Sequence, residues 1–244
     1  MGHELYDHLA EWWPVVSPVE DYASEAAWIR TLLPRAADGG PPLVLELGSG
    51  GGHLAHHLAP HARLVLTDLS EAMLDVSRAL NPALPHHVGD MRTLRLDVVA
   101  DAVLVHDAIA YVRTREDLAA ALRTAFVHLR PGGTAVLVPD DVAETFTGAT
   151  DLEQHDAPDG RSMRLLVWSW RPDDDAEEAR DEYVLALRSA DGEVTVHHET
   201  HRTGLFATGT WLALLRETGF EARAVAEVTD DDRPPRTAFV ATRP

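Results

Sequence analysis

The residues most able to do chemistry lie where apolar runs stop. Leu43 to Leu47, apolar except for Glu46, opens directly onto Gly48, Ser49, Gly50, Gly51 and Gly52. An amphipathic segment follows, with Leu54 and Leu58 one helical turn apart. Strand, glycine turn and helix in that order predict a nucleotide-binding crevice at the carboxyl end of a parallel strand. Glycines there let the chain turn sharply and let a ligand touch bare backbone. A dinucleotide fingerprint wants glycine at its first, third and sixth positions, but the sixth position is His53. Glycines stand instead at 48, 50 and 52, with the acid Glu46 two residues ahead. Later apolar runs also end in polar residues: Asp68, 22 residues after Glu46, then Gly89-Asp90-Met91, His106-Asp107 and Asp140-Asp141. An acid ending the second strand is placed to accept hydrogen bonds from ribose hydroxyls.

This succession resembles the class I S-adenosylmethionine (SAM)-dependent methyltransferases over roughly the first 140 residues. The whole chain is similar to small bacterial enzymes that N-methylate amino sugars attached to nucleotides. The shared features are Tyr6-Asp7, the GDMR segment from Gly89 to Arg92, and a β-rich insert before the last helix. The resemblance implies an α/β, Rossmann-like fold: a seven-stranded, mostly parallel sheet with a reversed last strand, plus an antiparallel β insert. It implies SAM as cofactor and methyl transfer to nitrogen or oxygen of a small molecule, a secondary metabolite or sugar. The implied cofactor residues are Glu46, Gly48, Ser49, Gly50, Asp68, Leu69, Met73, Gly89, Asp90, Met91 and His106. Leu69 and Met73 would meet the adenine ring and Asp90 its exocyclic amine, with core packing and turn formation as their bland alternatives.

The methyl of a sulfonium is already activated, so alignment and exclusion of water are the main tasks and no metal is required. An amine acceptor needs only to be unprotonated, whereas a hydroxyl or acidic carbon needs a base. The catalytic candidates are His106, Asp107, Tyr6 and His201. The chain departs from the amino-sugar enzymes in carrying His106-Asp107-Ala108 after strand four, where those have small hydroxyl residues. It has Asp140-Asp141 after strand five, where those have aromatic residues. A nucleotide diphosphate would want arginines, which Arg161, Arg164 and Arg171 supply only if they face the crevice. One alternative is a metal-assisted O-methyltransferase with magnesium on Asp107, Asp140 and Asp141. Another is a SAM-binding protein that transfers no methyl group.

Composition bounds these readings. The 244 residues, 45% apolar and 25% charged, suit one ample domain or a domain with an insert. The absence of cysteine excludes disulfides and thiolate chemistry, and all 21 basic residues are arginine, which excludes Schiff-base lysines. The net charge of -19 argues against nucleic acid as a partner. Part of that charge lies in two runs, Asp173, Asp174, Asp175, Glu177, Glu178 and Asp230 to Asp232, which read as solvated loops. No apolar run approaches the ~18 residues that span a bilayer. The start carries no charged-then-apolar leader, so a cytoplasmic location is expected.

The elements that must position these residues follow from periodicity. Residues 3–13 predict a helix carrying Leu5, Leu9 and Trp12, broken by Pro14 and Pro18. A second helix, Asp21 to Leu33, would turn Ala23, Ala27, Ile29 and Leu33 inward. In the SAM family such helices lid the active site, which would make Tyr6 a pocket residue. Ser70 caps the helix after Asp68. Another helix runs from Glu116 to Leu129, stopped by Pro131-Gly132-Gly133. From 142 to 204 the period becomes two, predicting three antiparallel strands over the crevice. They carry Leu166, Trp168 and Trp170, then Tyr183, Leu185 and Leu187, then, after an Asp191-Gly192 hairpin, Val194, Val196 and His198. The aromatic face has three uses, packing on the main body, closing the pocket, or burying a homodimer contact, and packing is expected. Residues 1–141 and 205–244 would form the SAM-binding body, with lid helices within 1–36. After a helix stopped by Gly219, strands at about 221–228 and 236–242 are joined by too short a loop for a parallel crossover, so they must be antiparallel.

Overall fold

The computed structural model describes residues 3–36, 38–173, 176–230 and 234–244. Asp174, Asp175, Asp231 and Asp232 of the acidic runs lie outside the described residues. The chain opens with two 3₁₀ turns, Glu4–Tyr6 and Ala10–Trp12, and a one-turn helix α1 (Trp13–Val16) in place of the single predicted helix. Pro14 starts α1 rather than breaking a helix, because a first-turn residue has no intrahelical N–H bond to lose. Helix α2 (Ala23–Leu32) buries Ala26, Trp28 and Ile29, while Ala23 and Ala27 face solvent. The inward face is therefore set by Ala26, Trp28 and Ile29, not by Ala23 and Ala27.

The body alternates strand and helix: β1 (Leu43–Leu47), α3 (His53–Leu58), β2 (Arg63–Asp68), α4 (Glu71–Leu80), β3 (His86–Val88), β4 (Ala100–His106), α5 (Arg115–His128) and β5 (Leu129–Val138). Ser70 does cap α4, its hydroxyl accepting from the Met73 N–H at 3.1 Å. Helix α5 stops at His128. Pro131-Gly132-Gly133 does not end it but lies in β5, where the register against β4 slips between Ala100 and Ala102. Four antiparallel strands follow, β6 (Ala149–Asp156), β7 (Ser162–Trp170), β8 (Glu178–Arg188) and β9 (Val194–Gly204), then α6 (Thr208–Thr218), β10 (Glu221–Ala226) and β11 (Thr237–Thr242). The main sheet has seven strands in the order β10-β11-β5-β4-β1-β2-β3. As the short loop required, β11 runs antiparallel to both β10 and β5.

The two faces of this sheet each bury a cluster. Leu45, Leu47, Val103 and Val105 pack with α5 and α6 through Leu118, Leu122, Trp211 and Leu215. Val44, Leu64, Leu66 and Leu104 pack with α2 and α3 through Ile29, Leu54 and Leu58. Each fully buried side chain of this kind contributes roughly 1.5–3 kcal/mol. Strands β1 and β4 are neighbours whose chain continues in opposite directions across the sheet, so the crevice opens at their carboxyl ends.

The second sheet holds four strands rather than three. Strand β6 was not predicted because, apart from a half-buried His155, it is exposed along its whole length, as an edge strand can be. The predicted tryptophan face does not pack on the body: Trp168 is 55% exposed and its ring lies tilted against that of Trp170, with centroids 5.0 Å apart. The opposite face carries Met163, Leu165, Leu185 and Leu187 against Leu5, Val15 and Val16 of the N-terminal turns. Among the described residues, no helix is long and apolar enough to cross a membrane.

Candidate active site

The turn after β1 is held from β2. The N–H groups of Gly48 and Ser49 both donate to the Thr67 carbonyl at 2.8 Å. Gly48 has φ +77°, and a Cβ there would overlap the Ala108 methyl. Gly50 has φ +52° and a nearly open face, with only the Met73 methyl at 3.5 Å from a virtual Cβ. Its N–H donates to Asp68 Oδ2 at 2.8 Å, while Asp68 Oδ1 accepts from Ser70 N–H at 2.9 Å. Burial holds the Asp68 carboxyl above its usual range against the pull of those N–H groups. Each carboxylate oxygen retains capacity for a second donor. Beside it, Leu69 is 69% exposed, a large apolar side chain left open at the crevice, whereas Met73 is buried beneath the turn.

Two buried polar atoms at this turn have no hydrogen-bond partner, Glu46 Oε2 and Ser49 Oγ. Burial pushes the Glu46 carboxyl up to about 8, with Asp68 adding to the shift and His106 opposing it. An unpartnered buried carboxyl, an orphan hydroxyl and a glycine backbone form a cradle that suits the ammonium and carboxylate of an amino-acid tail. The Asp68 carboxylate and open Leu69 likewise suit a nucleoside. The residues present therefore fit SAM.

The third-strand residues sit differently from expectation. Gly89 N–H donates to the Asp68 carbonyl at 2.8 Å, and half-buried Met91 packs on the core. The Asp90 carboxylate is turned onto Arg92, which donates from Nη2 at 2.6 Å and from Nε at 2.9 and 3.0 Å. That guanidinium holds the Asp90 carboxyl below the usual range, so any adenine amine shares it with Arg92.

His106 is corrected from a free base to a buried cation. Its ring is 5% exposed, with Nε2 3.1 Å from Glu25 Oε2 and Nδ1 3.1 Å from Asp107 Oδ2. Burial alone would lower its pKa, and Arg236 Nη2 at 2.9 Å opposes protonation. The two carboxylates outweigh both and hold it at about 10. A protonated ring has no lone pair to offer a substrate. Arg236 is the centre of this cluster, donating to Asp107 at 2.6 Å, to both Glu227 oxygens at 2.8 Å, and to Glu25 at 2.9 Å. Asp107 carries φ +51°, a conformation rare outside glycine and a mark of strain at a functional turn. His106 and Arg236 hold its carboxyl well below the usual range despite burial. None of Arg236, Glu25 and Glu227 was singled out from sequence, since α2, β10 and β11 bring them together from distant segments.

Asp107 is thus an ion-paired residue rather than a free base. The three acids of the magnesium alternative do not form one converging group, although Asp107 and Asp140 are adjacent. Among the described residues, the groups whose ligand atoms converge are His3, Glu199 and His201, and Glu25, His106 and Glu227, not Asp107, Asp140 and Asp141. Arg161, Arg164 and Arg171 are engaged away from the crevice. Arg161 pairs with Asp159, Arg164 with Asp156, and Arg171 bonds the Ala176 carbonyl.

Tyr6 and His201, distant in sequence, are joined by Tyr111, which was not predicted. The Tyr6 and Tyr111 hydroxyls lie 2.8 Å apart, and Tyr111 Oη lies 2.6 Å from His201 Nδ1. Tyr111 ends the 3₁₀ turn Ala108–Tyr111 that follows Asp107, so the end of β4 delivers it. A cleft of about 190 Å³ opens between the sheets, lined by Ala110, Asp140, Asp141, Val167, Asp181 and Tyr183 among others. Burial and the charge of Asp181 push the Asp141 carboxyl up to about 6. Burial and the adjacent Asp107 charge hold Asp140 above its usual range. Such a cleft favours a cationic or amine-bearing guest.

Comparison with known proteins places this geometry. A family profile described as "Methyltransferase domain" matches residues 44–133. The dTDP-3-amino-3,4,6-trideoxy-alpha-D-glucopyranose N,N-dimethyltransferase of Streptomyces venezuelae is 34% identical over 154 residues, 62% of this chain. The chain spans 65% of that relative's length, just under two thirds. The cypemycin N-terminal methyltransferase of a Streptomyces species is 30% identical over 235 residues, covering 93% of this chain and 89% of that protein. The X-ray structure of the sugar N-methyltransferase KedS8 from Streptoalloteichus sp ATCC 53650 superposes with a TM-score of 0.77. It is 30% identical and covers 93% of this chain and 90% of that one. The match runs through both sheets, not the glycine turn alone, and the chain belongs to the class I SAM-dependent methyltransferases.

Proposed function

We propose that this protein transfers the methyl group of SAM to an amino nitrogen of a small molecule, with an aminated sugar of secondary metabolism as the acceptor class. SAM, when bound, supplies a methyl already activated on a sulfonium. The chain's residues then bind, orient and exclude water. Gly48, Ser49, Gly50 and Glu46 would hold the amino-acid tail, Asp68 the ribose, and Leu69, with Met73, Gly89, Asp90 and Met91 around it, the adenine. The cleft carrying Asp140, Asp141, Asp181 and Tyr183 would receive the acceptor amine. The observation that carries this reading is the pairing of a cradle at Gly50 and Asp68 with a carboxylate-lined cleft that reaches Ala110 in the turn after β4. The amino-sugar class is supported by what the S. venezuelae relative and KedS8 act on by name. The same proposal divides the chain into a cofactor-binding body, 1–141 and 205–244, and an insert, 142–204, in a cytoplasmic enzyme that binds no nucleic acid.

The test is turnover. Purified protein is incubated with SAM and, separately, with dTDP-3-amino-3,4,6-trideoxyglucose, a free aminoglycoside, a peptide with a free N-terminus and a catechol. Formation of S-adenosylhomocysteine with an N-methylated product is expected for the amines. Methylation of the catechol alone would overturn nitrogen as the target. Binding of SAM with no turnover on any acceptor would favour a SAM-binding protein of another kind.

A further inference from the structure

His201 is fully buried, and the reaction proposed above does not by itself assign it a task. Its surroundings are unusual for a packing histidine. Nδ1 faces Tyr111 Oη at 2.6 Å, and that hydroxyl in turn meets Tyr6 at 2.8 Å. Nε2 has no hydrogen-bond partner but lies 3.4 Å from Glu199 Oε1, at ion-pair distance. Glu199 is fixed by the N–H groups of Glu4 and Leu5 at 2.9 and 3.0 Å. Although burial works the other way, His201 and His3 hold its carboxyl well below the usual range, so it is charged. Tyr183, which lines the cleft, stacks on the imidazole with ring centroids 4.2 Å apart. The titratable groups facing His201 are therefore Glu199 on its own strand, Asp181 and Tyr183 from β8, His3 and Tyr6 from the N-terminal turns, and Tyr111.

We propose that Tyr111, His201 and Glu199 form a proton relay that frees the acceptor amine for attack, with Tyr111 as the group that meets the substrate. The inference rests on the methyltransferase reading. Burial holds the phenols of Tyr6 and Tyr111 above their usual range, so both act as neutral hydroxyls. In the only hydrogen-bond order that lets His201 take a proton at Nδ1, Tyr111 donates to it and Tyr6 donates to Tyr111. The Tyr111 oxygen then keeps one lone pair for the acceptor. An arriving ammonium gives its proton to that oxygen as the Tyr111 hydroxyl proton passes to Nδ1. The products are a neutral amine, a neutral tyrosine and an imidazolium facing the Glu199 carboxylate. The freed lone pair forms the N–C bond while the C–S pair returns to sulfur. The imidazolium gives its proton to water when the product leaves. Tyr111 is the catalytic residue here, and His201 and Glu199 act through it.

The first measurement needs no acceptor. In ¹⁵N-histidine spectra of the whole protein the relay requires neutral His201 to carry its proton on Nε2, with Nδ1 accepting. Tyr111→Phe should shift the Nδ1 resonance, and a proton found on Nδ1 would overturn the proposal. The second is the pH–rate profile with dTDP-3-amino-3,4,6-trideoxyglucose as acceptor. Tyr111→Phe and Glu199→Gln should each lower kcat at neutral pH by about 10²-fold, the scale of positioned acid–base catalysis. Both should recover as pH passes the pKa of the amine, with calorimetric SAM affinity within about twofold of wild type. A deficit equal at every pH, or one matched by lost SAM affinity, would make these residues structural and overturn the relay. Wild-type protein that turns over no amine at all would remove the methyltransferase reading first, and the relay with it.

Discussion

Arg236 holds four segments together, and removing its charge while keeping its length isolates that role. The guanidinium bonds Glu227, Glu25 and Asp107 at 2.6 to 2.9 Å and is itself 13% exposed. In Arg236→Met the His106 cation still faces Glu25 and Asp107, but Asp107 and the buried Glu227 both lose the guanidinium they accept from. Removing one partner of a buried ion pair costs about 3–5 kcal/mol, because the other charge stays desolvated. For a chain of this size each kcal/mol moves Tm by about 2–4 °C, so a drop of roughly 6–20 °C is expected near pH 8. The sign of the pH dependence follows. Without the guanidinium, the Asp107 carboxyl that Arg236 helps hold well below the usual range rises, so as pH falls the folded variant binds a proton before the wild type does. The variant's deficit should therefore shrink as pH falls below the unfolded aspartate pKa of about 3.9. Circular-dichroism melts of both proteins at the two pH values make the comparison. A Tm within about 2 °C of wild type near pH 8 would refute the reasoning, as would a deficit that does not narrow in acid.

Two further outcomes follow from the same geometry. Gly48→Ala places a methyl against Ala108 at φ +77°, so SAM affinity should collapse and stability fall by at least the ~1–2 kcal/mol of a left-handed non-glycine residue; melting with and without SAM checks both. His106 contributes stability that is fully present below its unfolded pKa of about 6.5, and that is lost as pH rises through about 10. Wild-type Tm should accordingly fall across that window more than the Tm of His106→Asn, and parallel slopes would show that the ring is not charged.

Local chemistry was legible in the sequence and long-range chemistry was not. The turn at Gly48 to Gly52, the acid ending β2 and the Ser70 cap are each specified within a few residues, and all were readable. The reversed last strand followed from loop length alone. Strand β6 escaped because an exposed edge needs no apolar period, and the spacing of Leu5, Leu9 and Trp12 read as one helix where 3₁₀ turns bury single residues such as Leu5 and Ala10. His106 was singled out by its strand-end position, but its ionisation depends on Glu25 and Arg236, 81 residues before and 130 after it. Tyr111 lay five residues from His106, yet only the fold shows that it bridges Tyr6 and His201. The Asp90–Arg92 pair, by contrast, is two residues apart and was open to reading from the GDMR segment itself.

The central claim is that the glycine turn and Asp68 hold SAM. Calorimetric titration of the purified protein with SAM and with S-adenosylhomocysteine tests it most directly. One site per chain is predicted for both, and Asp68→Ala should weaken SAM by at least about tenfold, the ~1.5 kcal/mol of a hydrogen bond to a charged group. No heat with either ligand, or an Asp68→Ala affinity equal to wild type, would contradict the account.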